Sequence, residues 1–493
     1  MTLRTVVWSG RPFAPAPVGA IVAARRKGPM RVVDDSGLEV RVASGRLLYE
    51  ALRLAWQRAV NGALAVVAGA LTTRRTPPLR RTAGHAAGPV VLVVPVLPDQ
   101  SHTFVYREVL ALLRARPDWR CVVLAKNALA PRHGEAEELT AKVTFLPRAG
   151  VTVRAIRVLR WLCRSRGREL FAMYRAQPGG SVGGLLGRRV LREPRDPGNA
   201  FELADLLAPM RPCHVHVYSS THPTNVAMGA AHLLSLPFSI SSYVDFEFGY
   251  QHKMLAEKVA RATFFRVVTK FCAARLLAMP GLPALDVNSV PVVYLGLDLA
   301  NWRQRAAPQR RGVLLSAARL VPKKGLQFVP AALRILRDRG IVCRWRVIGD
   351  GPERFALEAA CRERGVADLV EFLGALASNE VRRELLTADL AVLPCVIAAD
   401  GERDGIPVFL NEAMALAVPV VTTPISGIPE MVRDGETGFL AQPGDSQSLA
   451  DTIARALASP ELARTVGDSG RALVHDMLDV DVTAAQLLAR IEA

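Results

Sequence analysis

The stretch from Ser316 to Glu430 constrains this chain more than any other. It opens on Ser316-Ala-Ala-Arg-Leu-Val-Pro-Lys-Lys-Gly325, a short strand entering a basic turn and then a helical pattern. Val347-Ile-Gly-Asp-Gly-Pro352 is a second strand that ends in a glycine turn. Asp404-Gly-Ile-Pro-Val-Phe-Leu-Asn-Glu412-Ala-Met-Ala follows, and then the strand Val418–Thr422. Arg319 and Lys324 lie where strand hands over to helix, a place that binds anions. Arginine offers a planar two-pronged donor and lysine a point charge, so the two together can neutralise a pyrophosphate. Gly325 lets the backbone come close to a ligand. Glu412 is expected to open a helix and to accept hydrogen bonds from vicinal ribose hydroxyls, and Asp404 to lie at the cleft mouth before Gly405-Ile406-Pro407. Taken singly, each of these residues also fits a solvated helix start. Their order and spacing point to a site for a nucleoside diphosphate and a sugar.

This arrangement resembles the donor domain of the retaining GT-B glycosyltransferases of family 4. Their pattern is a Gly/Ser-x-Arg-Leu-x-x-x-Lys-Gly turn, a Gly-x-Gly-Pro turn, and two acids seven residues apart before Ala-Met-Ala. The resemblance runs from about Pro89 to the C-terminus and is dense from Ser316 to Leu440. The acid-pair stretch looks most like exopolysaccharide-type members, including the colanic-acid branch. It implies that Arg319 and Lys324 hold the donor diphosphate, Glu412 the ribose, and Asp404 the transferred sugar. It also implies donor contacts at Gly325, Gly349, Gly351, Leu373, Gly405, Ile406 and Pro407, with no metal and no other cofactor. Asp404 stands where the family usually has glutamate, one methylene longer.

Upstream, Pro89–Val96 reads as the first strand of an acceptor domain, and Leu97–Phe104 as the loop closing one side of the cleft. Ser101, His102, Thr103 and Glu108 are candidate contacts on that side. At the end of the strand Phe238–Val244, Tyr243 and Asp245 occupy a place where many members carry a histidine-containing Asp motif. His214 and His216 alternate along one strand face; they fit a metal pair or, more simply, a packed strand. Arg154, Arg157, Arg160, Arg164 and Arg168 fall on one stripe of a helix expected over Thr152–Arg168, with Trp161 beside them. That stripe fits either anionic lipid or plain solvent. Gln177–Gly184 reads as a glycine-rich loop.

At 493 residues the chain exceeds one ordinary core. Four parts are expected: a basic extension and linker at 1–87, an acceptor domain at 88–298, a donor domain at 299–479, and a helix at 480–493 returning to the acceptor domain. In the extension, a weak strand pair is read around Met30–Val42 and a helix from Gly45 to about Leu71. The fold class is α/β, two facing Rossmann-like parallel sheets. The net charge of +18 favours anionic partners: a nucleotide sugar, a saccharide or lipid-linked saccharide acceptor, or an anionic membrane surface. No nucleic-acid motif accompanies it. Seven scattered cysteines suggest a reducing compartment. The start lacks a signal-peptide pattern, and the apolar run Gly62–Leu71 covers about half a bilayer. The expected location is the cytoplasm, peripheral to the inner membrane face at most. The expected activity is sugar transfer from a nucleoside diphosphate sugar, probed against a binding scaffold without activity and against an epimerase or phosphorylase on the same fold.

Overall fold

The computed structural model describes residues 30–33, 39–42, 88–99, 103–127, 134–147, 149–175, 197–249, 254–302 and 312–493. Ser101, His102, the helix read over 45–71 and the loop 177–184 lie outside the described residues. In the extension, β1 (Met30–Val33) pairs antiparallel with β2 (Glu39–Val42), Met30 opposite Val42.

The rest forms two lobes, each on a six-stranded sheet whose described pairings are parallel. The first uses β3 (Val90–Leu97), β4 (Arg120–Lys126), β5 (Val143–Phe145), β6 (His214–Tyr218), β7 (Phe238–Ser242) and β8 (Phe265–Val267), in the order β5-β4-β3-β6-β7-β8. The second uses β9 (Val313–Ala317), β10 (Arg344–Ile348), β11 (Val370–Gly374), β12 (Leu390–Val392), β13 (Val420–Thr422) and β14 (Phe439–Leu440), in the order β11-β10-β9-β12-β13-β14. The strands β3, β9, β12 and β13 are mostly runs of Val, Leu and Ala because helices cover both faces, while β6 and β7 alternate buried His and Ser side chains that hydrogen-bond to one another. Ser316 is the exception in β9. Fully buried, it donates to Val392 O at 2.5 Å and accepts from Trp345 Nε1 at 2.8 Å, tying three strands together.

Both sheets reverse strand order beside their first strand. Ligands of such sheets bind at that switch point, outside the carboxyl ends of the strands. In the second lobe it falls between β9 and β12, whose following loops carry Arg319, Lys324 and Asp404. The helix Val480–Glu492 belongs to the second lobe in sequence only. Val480, Ala484, Leu487 and Ile491 are buried in the first lobe's core with Val105, Val109 and Leu112 of the helix Thr103–Ala115.

The arginine stripe is corrected by the structure. The helical run breaks at Cys163–Arg164 into Val151–Leu162 and Ser165–Arg175. Arg154 is buried against Glu202 and Asn199, and Arg157 pairs with Glu202 and with Asp205 at 2.5 Å. Arg160 and the Trp161 indole also meet Asp205. Arg154, Arg157 and Arg160 of the stripe form an ion-pair seam against the helix Pro197–Leu207, because the acids there offer partners at helical spacing, while Arg164 lies over the Trp161 ring and Arg168 donates to Leu162 O. Val153, Ile156 and Leu159 face outward instead. Among the described residues no helix is long and apolar enough to cross a membrane.

Candidate active site between the lobes

After β9 the chain passes through two short 3-10 turns, Pro322–Lys324 and Leu326–Phe328, before the helix Val329–Asp338 begins. Arg319 and Lys324 therefore do not flank an α-helix N-terminus, as the sequence suggested. Gly325 interrupts the helix with a left-handed φ of +70°. A Cβ there would lie 1.7 Å from Pro394 O, so only glycine lets the loop after β9 cross the loop after β12. Backbone bonds lace the neighbouring turns: Val396 N to Lys323 O at 2.9 Å, Leu320 N to Asp350 O at 2.9 Å and Gly349 N to Gly374 O at 2.7 Å. Gly349 packs equally tightly, its would-be Cβ 1.8 Å from Ala318 O, and Gly351 faces Leu320 O in the same way. Gly325→Ala is expected to destabilise the fold by roughly 2 kcal/mol or more, read from urea unfolding, because strain and clash act together.

Charge gathers on this frame. Lys324 Nζ lies 2.5 Å from Asp404 Oδ2, and Lys323 Nζ lies 3.3 Å from Asp404 Oδ1 and 2.8 Å from Glu402. Burial works against the Asp404 charge, yet Lys324 and Lys323 outweigh it and hold the carboxyl below its ordinary range. Lys323 was missed in the sequence, although the Lys-Lys pair offered the signal. Arg319 is exposed and makes no ion pair among the described residues. Leu373 is the last residue but one of β11, and Ile406 and Pro407 lead into the helix Val408–Ala415.

Glu412 does not open that helix. It sits in its second turn, buried, and meets the first lobe's Arg107, whose Nη1 and Nη2 each lie 3.4 Å from Oε1. Burial raises the Glu412 carboxyl above its usual value, and Arg107 opposes that shift.

The lobes touch along one seam. Gly405 faces Tyr243 O, 3.1 Å from where its Cβ would stand, and Gly427 abuts Thr269. Arg403 donates to Asp245 at 3.0 and 2.5 Å. Glu430 accepts Lys270 N at 2.9 Å, Phe271 N at 2.8 Å and the Tyr294 hydroxyl at 2.7 Å. A carboxylate of one lobe thus caps a helix, Lys270–Leu277, of the other. Glu430→Ala is expected to loosen this seam, and small-angle scattering should report a larger radius of gyration; an unchanged profile would refute the clasp.

The seam also corrects two acceptor-side assignments. Glu108 is 1% exposed and holds Arg266 through both oxygens, at 3.2 and 2.8 Å. Asp245 is occupied by Arg403, with Arg275 at 3.5 Å. Both carboxylates are buried and their oxygens are taken up by arginines. Thr103 starts its helix half-buried. The His214 and His216 rings meet the Ser239 and Ser241 hydroxyls at 2.7 to 2.9 Å, a packed strand pair. Glu247, unmarked in the sequence, gathers Ser220 and Ser242 at the carboxyl ends of β6 and β7.

Two facing Rossmann-type lobes with a cationic switch point define a GT-B fold. The structure of Anabaena HepE in complex with UDP and glucose matches with a TM-score of 0.61 at 16% identity, over 82% of this chain and 99% of that one. The lipopolysaccharide-biosynthesis glycosyltransferase WaaG matches at 0.52 and 15%, over 82% and 99%. Within that fold, residues 300–473 match the family described as glycosyl transferases group 1. The glycosyltransferase WcaL, assigned to colanic acid biosynthesis in Escherichia coli K12, is 37% identical over 213 residues, 42% of this chain and 52% of its own length. The amylovoran biosynthesis glycosyltransferase AmsK of Erwinia amylovora is 37% identical over 190 residues, 38% and 46%. The chain spans about half the length of these curated relatives.

Proposed function

We propose that this protein transfers a sugar from a nucleoside diphosphate sugar to an acceptor hydroxyl, with retention at the anomeric carbon, in the assembly of a surface or exported polysaccharide. The observation that carries this reading is the Lys323–Lys324–Asp404 cluster at the switch point of the second lobe, beside an exposed Arg319. The names of WcaL and AmsK support the polysaccharide assignment, and the UDP and glucose held by HepE support the donor class.

In the reaction the bond between the anomeric carbon and the diphosphate oxygen breaks, and its electron pair leaves on that oxygen. Arg319, Lys323 and Lys324 offset the charge that grows there, the task a divalent ion performs elsewhere. The acceptor oxygen attacks from the same face and its proton passes to the departing phosphate. Asp404 faces the positive charge developing at the sugar. A binding scaffold without activity is the second reading; the Asp404 departure from glutamate and the missing histidine of the Asp245 motif are the features that allow it. An epimerase or phosphorylase lacks such support; a phosphorylase would need a pyridoxal-phosphate lysine, for which no candidate stands out.

The test is a nucleotide-sugar panel read by thermal shift and by release of free nucleoside diphosphate. One donor should stabilise the protein and be slowly hydrolysed. Stabilisation without release under any acceptor condition would favour the scaffold, and no stabilisation by any donor would overturn the reading.

A further inference from the structure

Arg107 belongs to no donor-site motif, yet from the first lobe its side chain touches the ribose candidate Glu412. It is 5% exposed, on the helix Thr103–Ala115. Its Nε donates to Glu135 at 3.0 Å, Nη2 reaches Ser378 Oγ at 3.4 Å, and both terminal nitrogens face Glu412 Oε1. Ser378 begins the helix Ser378–Thr387 of the second lobe, so the guanidinium spans two second-lobe elements at once. Glu412 Oε2 accepts no hydrogen bond among the described residues. A carboxylate oxygen offers two acceptor positions, and a pair of vicinal hydroxyls needs an oriented, charged acceptor.

We propose that Arg107 is a positioning residue of the donor site: from the opposite lobe it fixes the Glu412 carboxylate through Oε1 and leaves Oε2 to the ribose hydroxyls of the donor. The inference rests on the reading of Glu412 as the ribose acid. It adds that this acid is held in working order only when the lobes are together. Glu135 anchors the guanidinium from the far side, and Ser378 limits its swing. The charged groups facing Glu412 are Arg107 and Glu135, the first favouring its ionised form and the second opposing it. Loss of Arg107 leaves Glu135 unopposed, so Glu412 takes up its proton at higher pH. Since the ionised acid is the better acceptor, the acid limb of nucleotide binding should then move to higher pH.

Titration calorimetry of Arg107→Met, Glu412→Gln and the double variant, with a nucleoside diphosphate and its 2′-deoxy analogue, tests this. Arg107→Met should weaken the ribonucleotide by roughly tenfold and shrink its advantage over the deoxy form. The double variant should bind no worse than Glu412→Gln alone, and Arg107→Lys should restore part of the loss. Independent, additive losses, or an intact ribose preference in Arg107→Met with an unmoved pH profile, would overturn the proposal. If Glu412→Gln itself keeps the full ribose preference, the ribose reading of Glu412 fails and the Arg107 role with it. Should Arg107→Met not fold, the Arg107→Lys pH profile and ribose preference carry the same decision.

Discussion

Asp404→Asn is expected to lower turnover by about a hundredfold or more while free nucleoside diphosphate binds at least as tightly as to the parent. The two directions have one cause. Asp404 spends its charge on Lys324 and Lys323 in the donor-free site, and a diphosphate must draw on the same two ammonium groups. A carboxylate beside the phosphates also repels them, an interaction on the order of a few kcal/mol at an effective dielectric near 20. An asparagine of the same shape removes both effects, so the product nucleotide loses nothing. The transition state does lose, because the negative charge facing the anomeric carbon is gone, and a preorganised charge of this kind contributes about 3 kcal/mol. A turn-capping aspartate would behave differently, since asparagine caps as well. No such turn cap is seen: Asp404 meets Lys324, Lys323 and the Cys395 thiol, and accepts no backbone N–H of the turn among the described residues. Asp404→Glu should retain some turnover and shift donor preference. Kinetics and calorimetry on one preparation decide the matter. Parent-like turnover in Asp404→Asn, or a parallel fall in turnover and nucleotide affinity, would remove Asp404 from the reacting sugar.

The sequence was most legible where chemistry and backbone geometry coincide. Gly325 and Gly349 could be singled out because a turn that admits no Cβ leaves a mark in residue type. The acid pair marked Glu412 and Asp404, but not what they touch. Arg107 and Glu412 are 305 residues apart, and no local pattern connects them. The same limit explains Glu108 and Asp245. Both read as cleft acids from their places in family-like motifs, yet Arg266 and Arg403 claim them from 158 residues away in each case. The arginine stripe misled for a related reason. Helical spacing puts Arg154, Arg157 and Arg160 on one face, but whether that face meets lipid, water or the acids of another helix depends on what packs there, and the break after Leu162 left no mark in the spacing.

Lys324→Ala carries the second large effect, because it acts twice. It removes a charge-assisted contact to the diphosphate, which costs about 1.5–3 kcal/mol. It also leaves Asp404 covered by Lys323 alone, itself shared with Glu402, so more uncompensated negative charge meets the incoming phosphates. Nucleoside diphosphate affinity should fall by roughly tenfold to a few hundredfold. Arg319→Ala should fall within the single-contact range, since Arg319 shields no carboxylate among the described residues. The decisive comparison is the double variant Lys324→Ala/Asp404→Asn. If the lysine both binds phosphate and screens Asp404, removing the carboxylate returns the second part of the loss and leaves the first. The double variant should then bind nucleotide better than Lys324→Ala, worse than Asp404→Asn, and turn over no donor. High salt should narrow these differences, because screening replaces part of what the lysine supplies. Equal nucleotide affinity in the parent and Lys324→Ala would show that the diphosphate lies elsewhere, and an unrescued double variant would show that Asp404 does not face it.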